Sequence, residues 1–515
     1  MSSKAQINIT PGNLSFQSQV PAQPETLQVT LTNAYDFKVV IDSISTGIHF
    51  GENAFSFAGV PAELEAAESA VIDVIFQPVH NILHRTQLMV YTGSRGTFSA
   101  PVEALASAAN TAYSPTNNLS GEALRSALED FVTNNHTQQL GYNQGRDVMY
   151  MTSDNQSVNG NESTNTLECV YTGTRITGYN NRQAAQNMGF NTEHTFPQSL
   201  FNSNFPMRGD IHHLFPTTQQ SNSARANYPF GRVTNNPTYS NGGSLGTPGL
   251  FEPRDKQKGP AARAMMYFVL RYGDYNSFYE QQEGVLMNWN ESFAPTTFDQ
   301  NRNNYIENAQ GNRNPFVDYP QFAARMKTLS GNADFDPEAA LSISNDLIDN
   351  GSEQVHTLYA LSLRNKGNTT VNINGFNLDT TYVAYRNTPS FPISLAAGEG
   401  LQIDLVFKPA SSVQVDETLT IESTARHYAV NLKADFGVLN VNNNVQKSLH
   451  LYPNPVQNTL YFTEAVKHVT VYDMTGKRIL QTQNTREINV QNIGRGMFLV
   501  KTEYNGDVQM HKLIR

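Results

Sequence analysis

One stretch of the chain, residues 191–231, combines the residue types that phosphodiester hydrolysis requires. A histidine can accept a proton from water near neutral pH. Carboxylate and amide oxygens bind a hard divalent cation, which neutralises phosphate charge, and an arginine binds phosphate through paired N–H groups. The candidates in this stretch are Glu193, His194, Arg208, Asp210, His212, His213, Asn222, Arg225 and Asn227.

Each of these residues also has a structural interpretation. A single pair such as Glu193-His194 is often a surface or capping feature, and at most one ring of His212-His213 is expected to face a cleft. The asparagines are residue types that favour turns and helix caps. From the residues alone, a catalytic centre and a structural polar cluster are both open.

The charge distribution bears on what this stretch can bind. The chain has a formal net charge of -10, which argues against nucleic acid as a partner. Residues 111–330 carry 16 Lys and Arg against 18 Asp and Glu, so most of the negative excess lies outside them. Their cations are mostly arginines, the residue suited to bidentate phosphate contact. We therefore expect binding through phosphates, with little sequence preference.

Secondary-structure patterns indicate how the candidates are positioned. We expect Glu193-His194 to end a strand, so that the two side chains point to opposite faces. A helix that starts near Ser221 would bring Asn222 across to the same site. Apolar residues at helical spacing predict further helices over 120–132 and 261–271.

Short strands dominate both flanks of this region. Residues 1–108 show apolar alternation interrupted by turn residues, which is typical of a β-sandwich. The pattern returns over 338–440, where Asp404-Leu-Val-Phe-Lys-Pro409 matches the earlier Asp73-Val-Ile-Phe-Gln-Pro78 and Ser362-Leu-Arg-Asn365 matches Thr30-Leu-Thr-Asn33. We therefore predict that one sandwich domain is repeated. Residues 446–515 predict a third, smaller all-β sandwich.

Two negative observations limit the protein class. Cys169 is the one cysteine, so an intrachain disulfide is excluded. No run of 18 apolar residues occurs, so no membrane span is expected.

The central region resembles the bacterial extracellular endonuclease I family, whose members have a ββα-metal nuclease site. The resemblance extends over residues 112–328 and predicts an α+β nuclease domain there. It is carried by these motifs, in order: Leu119-Ser-Gly-Glu-Ala-Leu124, Tyr171-Thr-Gly173, Glu193-His194 with Pro197, Asp210-x-His212-x-Leu214-x-Pro216, Asn222-x-x-Arg225-x-Asn227, Asn288-Trp-Asn290 and Gln310-Gly-Asn-Arg-Asn-Pro-Phe-Val317.

The resemblance implies a role for each matched residue. Glu193 and Asn222 would hold one divalent cation, with Mg²⁺ as the first choice and Ca²⁺ or Mn²⁺ as alternatives. His194 would activate water. An arginine would stabilise the phosphate, and Arg225 and Arg208 are both open for that role. The residues expected to orient the site without binding the metal are Asp210, His212, His213 and Asn227.

The C-terminal region resembles the sorting domain of type IX secretion. Its motifs are Tyr452-Pro-Asn-Pro455, Val471-Tyr-Asp-Met-Thr-Gly-Lys477, Gly496-Met-Phe-Leu-Val500 and Lys512-Leu-Ile-Arg515. This resemblance implies a secreted or cell-surface protein that engages the type IX machinery. The first residues lack the apolar core of a signal peptide, so we expect that a leader has been removed from this sequence.

The sequence thus predicts a multidomain protein, in which an α+β ββα-metal nuclease domain is flanked by immunoglobulin-like sandwiches and followed by the small C-terminal sandwich. The main hypothesis is a secreted, non-specific, metal-dependent endonuclease that acts on DNA, with RNA as an open second substrate. One alternative is a surface binding or adhesion protein whose nuclease-like domain is inactive. Another is a hydrolase of a different phosphodiester. Oligomeric state is left open.

Overall fold

The computed structural model describes residues 6–21, 23–352, 357–408, 410, 412–437, 449–474, 477–504 and 507–515. Several sequence predictions lie partly outside these residues. They are the start of the first predicted domain, the end of the second sandwich at 440, the start of the tail at 446, Pro409 of the repeat motif, and Thr475 and Gly476 of the sorting motif.

The N-terminal β unit consists of two four-stranded sheets, in the orders β1-β3-β8-β6 and β2-β10-β9-β5, and of the short pair β4-β7. The sheets pack face to face, since Phe16 of β2 lies 5.7 Å from Phe55 of β6 and 5.5 Å from Phe76 of β8 between ring centroids. The strands are β1 Ile7–Thr10, β2 Leu14–Val20, β3 Glu25–Asn33, β4 Val39–Val40, β5 Ser43–Ser45, β6 Phe55–Ala58, β7 Glu63–Leu64, β8 Ser69–Phe76, β9 Leu83–Tyr91 and β10 Thr97–Ala108.

The middle region contains the helices and three small strand groups, β11-β12, β13-β14 and β15-β16-β17. Helix α5 is the longest, and its face towards the core is almost wholly buried. The elements are α1 Gly121–Asn134, α2 Tyr142–Val148, β11 Thr166–Glu168, β12 Arg175–Thr177, α3 Arg182–Asn187, β13 Phe190–His194, β14 Leu214–Thr218, α4 Gln219–Arg225, β15 Tyr239–Asn241, β16 Ser244–Thr247, β17 Leu250–Glu252, α5 Asp255–Tyr272, α6 Glu283–Ser292, α7 Thr297–Gln310, α8 Pro315–Asp318 and α9 Phe322–Met326. The two helices predicted from periodicity correspond to α1 and α5.

The second β unit again has two sheets, in the orders β18-β20-β24-β22 and β19-β26-β25-β21-β23. Its core is a separate cluster of buried apolar residues between 341 and 436. The strands are β18 Leu341–Ile343, β19 Leu347–Asp349, β20 Thr357–Asn365, β21 Val371–Asn377, β22 Val383–Tyr385, β23 Ile393–Leu395, β24 Gly400–Phe407, β25 Gln414–Ser423 and β26 Tyr428–Asp435.

The structure confirms the predicted repeat. Strands β3 and β8 pair antiparallel at the centre of one sheet, and β20 and β24 do the same in the second unit. Asn33 at the end of β3 donates from its side chain to the carbonyls of Phe37 and Leu64. Asn365 at the end of β20 donates to those of Thr369 and Leu395. The matching sequence segments therefore occupy equivalent places and make equivalent bonds.

The described C-terminal region contains strands and no helix, in agreement with the all-β character that its sequence predicts. Its strands are β27 Leu451–Tyr452, β28 Thr459–Asp473, β29 Arg478–Asn489, β30 Met497–Tyr504 and β31 Asp507–Ile514. They form one connected sheet, because β28 pairs with β27, β29 and β30. The register of β28 shifts between Tyr461 and Val466, and such an irregularity lets one long strand bend.

The N-terminal β unit contacts both regions that follow it. Its buried apolar residues form one continuous cluster with those of the middle region. Tyr319 donates to the carbonyl of Val20 across this boundary at 3.1 Å. On another side, Ser362 of β20 donates to the carbonyl of Thr97 at 2.7 Å, and Arg95 bonds the Tyr359 hydroxyl. The N-terminal unit is therefore packed between the middle region and the second β unit.

Among the described residues, no helix combines the length and the apolar character that crossing a bilayer would require.

Candidate active site

A two-stranded hairpin and the helix after it carry four of the candidates, Glu193, His194, Asn222 and Arg225, which we call the central candidates. Strands β13 and β14 pair antiparallel, with Glu193 opposite Phe215 and His194 opposite Leu214. Helix α4 follows β14 directly and packs against both strands. The pair Glu193-His194 therefore ends a strand, as predicted, and the helix begins at Gln219, two residues before the predicted start.

The start of helix α4 is fixed by short side chains. The Thr218 hydroxyl accepts a hydrogen bond from the backbone N–H of Ser221 at 3.2 Å, which caps the helix. Cys169 is buried beside this turn, and its sulfur accepts from the N–H of Thr218 at 3.3 Å. The single cysteine thus packs under the helix that carries Asn222.

The Glu193 carboxylate is buried, and only one of its two oxygens has a bonding partner in the described structure. Its Oε1 accepts from the Tyr171 hydroxyl at 2.8 Å and lies 3.0 Å from Nε of Arg225. Its Oε2 accepts no hydrogen bond within the described parts of the chain. Burial raises the pKa of Glu193, while the charge of Arg225 and the Tyr171 hydrogen bond lower it. One oxygen is therefore held in place and the other is free to bind a ligand.

Asn222 lies in helix α4, which packs against β13. The residue is half-buried, and its side-chain amide has no hydrogen-bond partner among the residues that the structure describes. Its backbone carbonyl is already used, because it accepts from the N–H of Ala226 at 3.0 Å. The side-chain oxygen is thus available on the helix next to the strand that bears Glu193.

His194 has a well-defined environment on the other face of the strand end. Its Nε2 lies 3.4 Å from the backbone carbonyl oxygen of Arg208. A carbonyl accepts only, so this contact places the ring proton on Nε2 and leaves the lone pair on Nδ1. Burial and the nearby His213, Arg208 and Arg146 hold the pKa of His194 well below its usual value. The ring is therefore neutral at neutral pH and able to accept a proton.

Arg225 is fully buried and bonded on several sides. Its Nη2 donates to the carbonyl of Thr195 at 2.7 Å and its Nη1 to that of Ala226 at 3.0 Å. Its guanidinium also lies 4.8 Å from the ring centre of Phe230, besides its contact with Glu193. This arginine supports the strand and the helix from beneath.

Arg208 lies in the one-turn 3-10 helix Met207–Gly209 and is half-buried. Its guanidinium carbon lies 4.5 Å from the ring centre of Tyr142, and that ring is 5.5 Å from the ring of His194. Arg208 forms no ion pair with a carboxylate in the described structure. Of the two arginines predicted for the phosphate, Arg208 is the one with a free charge beside the histidine.

Asp210 belongs to a buried network that faces helix α5. Its Oδ2 accepts from the hydroxyls of Tyr267 at 2.7 Å and Tyr272 at 2.8 Å, and its Oδ1 accepts from Gln310 at 2.7 Å. Arg271 lies 3.3 Å from the same carboxylate. These bonds anchor the loop between β13 and β14 to the helical core. The predicted orienting role of Asp210 stays a prediction, and it would act through this loop.

The three remaining candidates have different surroundings. His212 is buried against Tyr267, its Nε2 lies 3.1 Å from the carbonyl of Asn312, and burial lowers its pKa to about 4. His213 is also buried, and its ring lies 5.5 Å from that of His194, behind it. Asn227 is exposed just beyond the end of α4. His213 is the one of the three that contacts a central candidate.

Sequence reasoning missed three residues that contact the central candidates. Tyr171 binds Glu193, while Tyr142 and Arg146 lie one turn apart on α2 beside His194 and Arg208. The guanidinium carbon of Arg146 is 4.0 Å from the ring centre of Tyr142. The i, i+4 spacing of Tyr142 and Arg146 was a readable signal for that pair.

No group of three or more His, Cys, Asp or Glu side chains that could hold a metal occurs among the described residues. The predicted pair Glu193 and Asn222 would supply a cation with two protein oxygens. Mg²⁺ commonly binds in this way, through one or two protein oxygens together with water and phosphate.

Comparisons with known proteins agree with the two resemblances. The endonuclease I family matches residues 120–321, and the secretion system C-terminal sorting domain matches residues 450–515. An extracellular ribonuclease of Bacillus amyloliquefaciens is 31% identical over 245 residues, which is 41% of this chain and 76% of the relative. One from Bacillus subtilis is 29% identical over 264 residues, 45% of this chain and 83% of the relative.

A third relative is an extracellular deoxyribonuclease of Aeromonas hydrophila, 31% identical over 118 residues, which cover 22% of this chain and 50% of the relative. The sorting domain and these extracellular relatives identify a secreted or cell-surface protein. From the family match and the length of the ribonuclease that it covers, the chain belongs to the endonuclease I family of nucleases.

Proposed function

We propose that the protein is a metal-dependent endonuclease that hydrolyses the phosphodiester bonds of DNA and RNA without reading their sequence. One observation carries the proposal. At the end of β13 and on α4, a carboxylate oxygen and an amide oxygen are free, and a neutral histidine with its Nε2 already bound lies next in the chain.

The free oxygens fit a divalent cation. Glu193 Oε2 and the Asn222 side-chain oxygen are hard donors, as Mg²⁺ prefers, and Ca²⁺ or Mn²⁺ would accept the same ligands. When bound, the cation would neutralise charge on the phosphate and on the leaving oxygen. The contacts of Glu193 with Tyr171 and Arg225 fix its free oxygen in one direction before any cation binds.

His194 is proposed to take the proton from the attacking water. The carbonyl of Arg208 holds Nε2–H, so Nδ1 is the atom that accepts the proton. Because burial and nearby positive charges keep the ring neutral, no prior deprotonation is needed at neutral pH. His213, packed behind the ring, restricts its orientation.

Arg208 is proposed to contact the phosphate, and Arg225 is proposed to have a structural role. Arg208 has no carboxylate partner among the described residues and lies on the same side as His194. Arg225 is fully buried, donates to two backbone carbonyls and forms an ion pair with Glu193. Asp210, His212 and Asn227 are not needed for direct contact with the phosphate in this proposal.

The choice of polymer follows from the contacts. Each of the proposed groups is assigned to the cation, the attacking water or the phosphate, and phosphate contacts carry no sequence information. The relatives include enzymes named as ribonucleases and as a deoxyribonuclease. We therefore propose both DNA and RNA as substrates.

The two β units are proposed to be immunoglobulin-like domains, with boundaries near 1–108 and 338–440. This is supported by their paired sheets and by the shared pattern of bonds around Asn33 and Asn365. Together they would act as a support for the nuclease region, since the first unit shares its core.

A direct assay tests the proposed activity. Supercoiled plasmid and a long single-stranded RNA are incubated with the full chain in Mg²⁺, with and without EDTA. Cleavage of both polymers that EDTA abolishes is the expected result. Cleavage that persists in EDTA would contradict the metal requirement, and no cleavage of either polymer would contradict the activity and favour the binding-protein alternative.

A further inference from the structure

Two arginines next to His194 share one aromatic ring and have no acidic partner. The guanidinium carbons of Arg146 and Arg208 both lie within 4.5 Å of the ring centre of Tyr142. Neither forms an ion pair with a carboxylate within the described residues. The Nε atoms of both are buried and have no hydrogen-bond partner there. We call Tyr142, Arg146 and Arg208 the cationic stack.

The stack is held by close backbone packing. Helix α2 carries Tyr142 and Arg146, and it contacts the turn Met207–Gly209 that carries Arg208. A Cβ atom added to Gly145 would lie 2.5 Å from the carbonyl oxygen of Gly209, and one added to Gly209 would lie even closer to that of Leu140. Because no side chain separates the two elements, the backbones that carry Arg146 and Arg208 lie close together, and both guanidinium groups rest on the ring of Tyr142.

Two like charges without an acidic partner indicate an anionic ligand. Arg146 also donates to the side-chain oxygen of Asn143, but this neutral group leaves the charge of Arg146 unbalanced. Two guanidinium groups repel each other, and an anion between or beside them removes that repulsion. The ring of Tyr142 already contacts both arginines and the ring of His194. We therefore assign Tyr142 the role of holding the two guanidinium groups in place. A nucleotide base could stack on its ring only by displacing Arg146, Arg208 or His194.

We propose that Arg146, held beside Arg208 by Tyr142, binds the phosphate adjacent to the scissile one in a polynucleotide chain. The inference rests on the proposed function, in which His194 and Arg208 serve the scissile phosphate. It adds a second phosphate position, so that the enzyme would favour chains of several nucleotides over small phosphodiesters. Arg146 is thus a substrate-positioning residue for polymers.

Binding without turnover provides the first test. The nuclease variant His194→Ala is titrated in EDTA with a fluorescein-labelled 12-nucleotide single-stranded DNA at several salt concentrations. Adding Arg146→Gln is expected to weaken binding about tenfold at low salt, because a charge-assisted contact is lost. It should also reduce the slope of log K against log salt by about 0.7, the value for one phosphate of a single strand. An unchanged slope would overturn the proposal.

Two further variants distinguish the effect of the Arg146 charge on binding from an effect of Arg146 on folding. Arg175→Gln removes one exposed arginine that is ion-paired with Glu162 and is not part of the stack, and this change should leave the slope as it is. Arg146→Lys keeps the charge and should keep most of the slope while losing the planar contact with Tyr142. If Arg146→Lys lost the slope as fully as Arg146→Gln, the role of Arg146 would be structural and the proposal wrong.

Turnover provides the second test, with active protein in Mg²⁺. The loss of kcat/KM caused by Arg146→Gln should be about tenfold greater for the 12-nucleotide DNA than for bis(p-nitrophenyl) phosphate, which has no adjacent phosphate. Equal losses for the two substrates would overturn the proposal. If the unmodified protein cleaved neither substrate, the proposed function would fail, and the metal-free binding measurement would still decide the inference.

Discussion

Replacing Arg225 with glutamine is expected to destabilise the protein, whereas the same change at Arg208 is expected to lower activity alone. Arg225 is fully buried, and Arg225→Gln would leave the Glu193 carboxylate buried without its opposite charge. It would also remove the donors to the carbonyls of Thr195 and Ala226. Arg208 has no comparable bonds from its side chain.

The size of the effect follows from the burial of the pair. Both side chains are at most 3% exposed, so solvent screens their interaction little. Removing one partner of a buried ion pair typically costs about 3–5 kcal/mol of unfolding free energy. At about 2–4 °C per kcal/mol for a unit of 150–250 residues, Tm should fall by roughly 10 °C.

Urea unfolding and thermal unfolding in EDTA measure this loss without a contribution from bound metal. Arg208→Gln is the matched control and should stay within about 0.5 kcal/mol of the unmodified protein. The double variant Glu193→Gln with Arg225→Gln should be more stable than the sum of the single losses predicts, by about 1–3 kcal/mol, because it leaves no buried charge unpaired.

A single pattern would refute this reasoning. The result would be an Arg225→Gln variant whose unfolding free energy stays within about 1 kcal/mol of the unmodified protein while its kcat falls sharply. The buried bonds of Arg225 would then not contribute to stability as proposed. Arg225 would then act on the phosphate, and Arg208 would be the structural arginine.

Three further predictions concern the metal, the base and acid stability. Glu193→Gln and Asn222→Ala should each weaken Mg²⁺ binding by about tenfold or more in calorimetry, and unchanged affinity in both would show that the ligands are misassigned. His194→Ala should lower kcat by about 10²–10⁴-fold while Mg²⁺ affinity stays within about twofold, so a large loss of affinity would mean that His194 binds the metal. Burial lowers the pKa of His84 to about 3, so the unfolded chain takes up this proton first. The contribution of His84 to stability, which is complete above pH 6.5, should therefore be lost progressively as the pH drops below that value. His84→Phe should flatten this fall in urea unfolding between pH 7 and pH 4.5, and equal slopes in the two proteins would rule out His84 as the cause.

Local sequence patterns were sufficient to predict that Glu193-His194 ends a strand and that Asn222 lies on the helix after it. The strand ending at His194, the helix bearing Asn222 and the repeat around Asn33 and Asn365 each depend on residues close in sequence or on an obvious match. The directions of long side chains were not predictable. Arg225 and Arg208 are equally plausible from sequence, and tertiary packing against Phe230 or Tyr142 separates them.

Other features depend on contacts across long sequence separations. Asp210 is joined to Tyr267 and Gln310, which are 57 and 100 residues away. Tyr142 and Arg146 precede the central motif by about fifty residues, and nothing in their own segment indicates that α2 lies beside the turn of Arg208. The bend in β28 likewise follows from pairing with three other strands, which its own alternation does not reveal.

The glycine contact between α2 and the turn Met207–Gly209 has a consequence for how this enzyme tolerates sequence change. Gly145 and Gly209 carry no chemical group, yet a single methyl at either position would force the two elements apart. The carbonyl that holds His194 and the side chain of Arg208 belong to one residue and would shift together. In a saturation mutagenesis screen for nuclease activity, these two glycines should therefore be as intolerant as the histidine, although neither contacts the substrate.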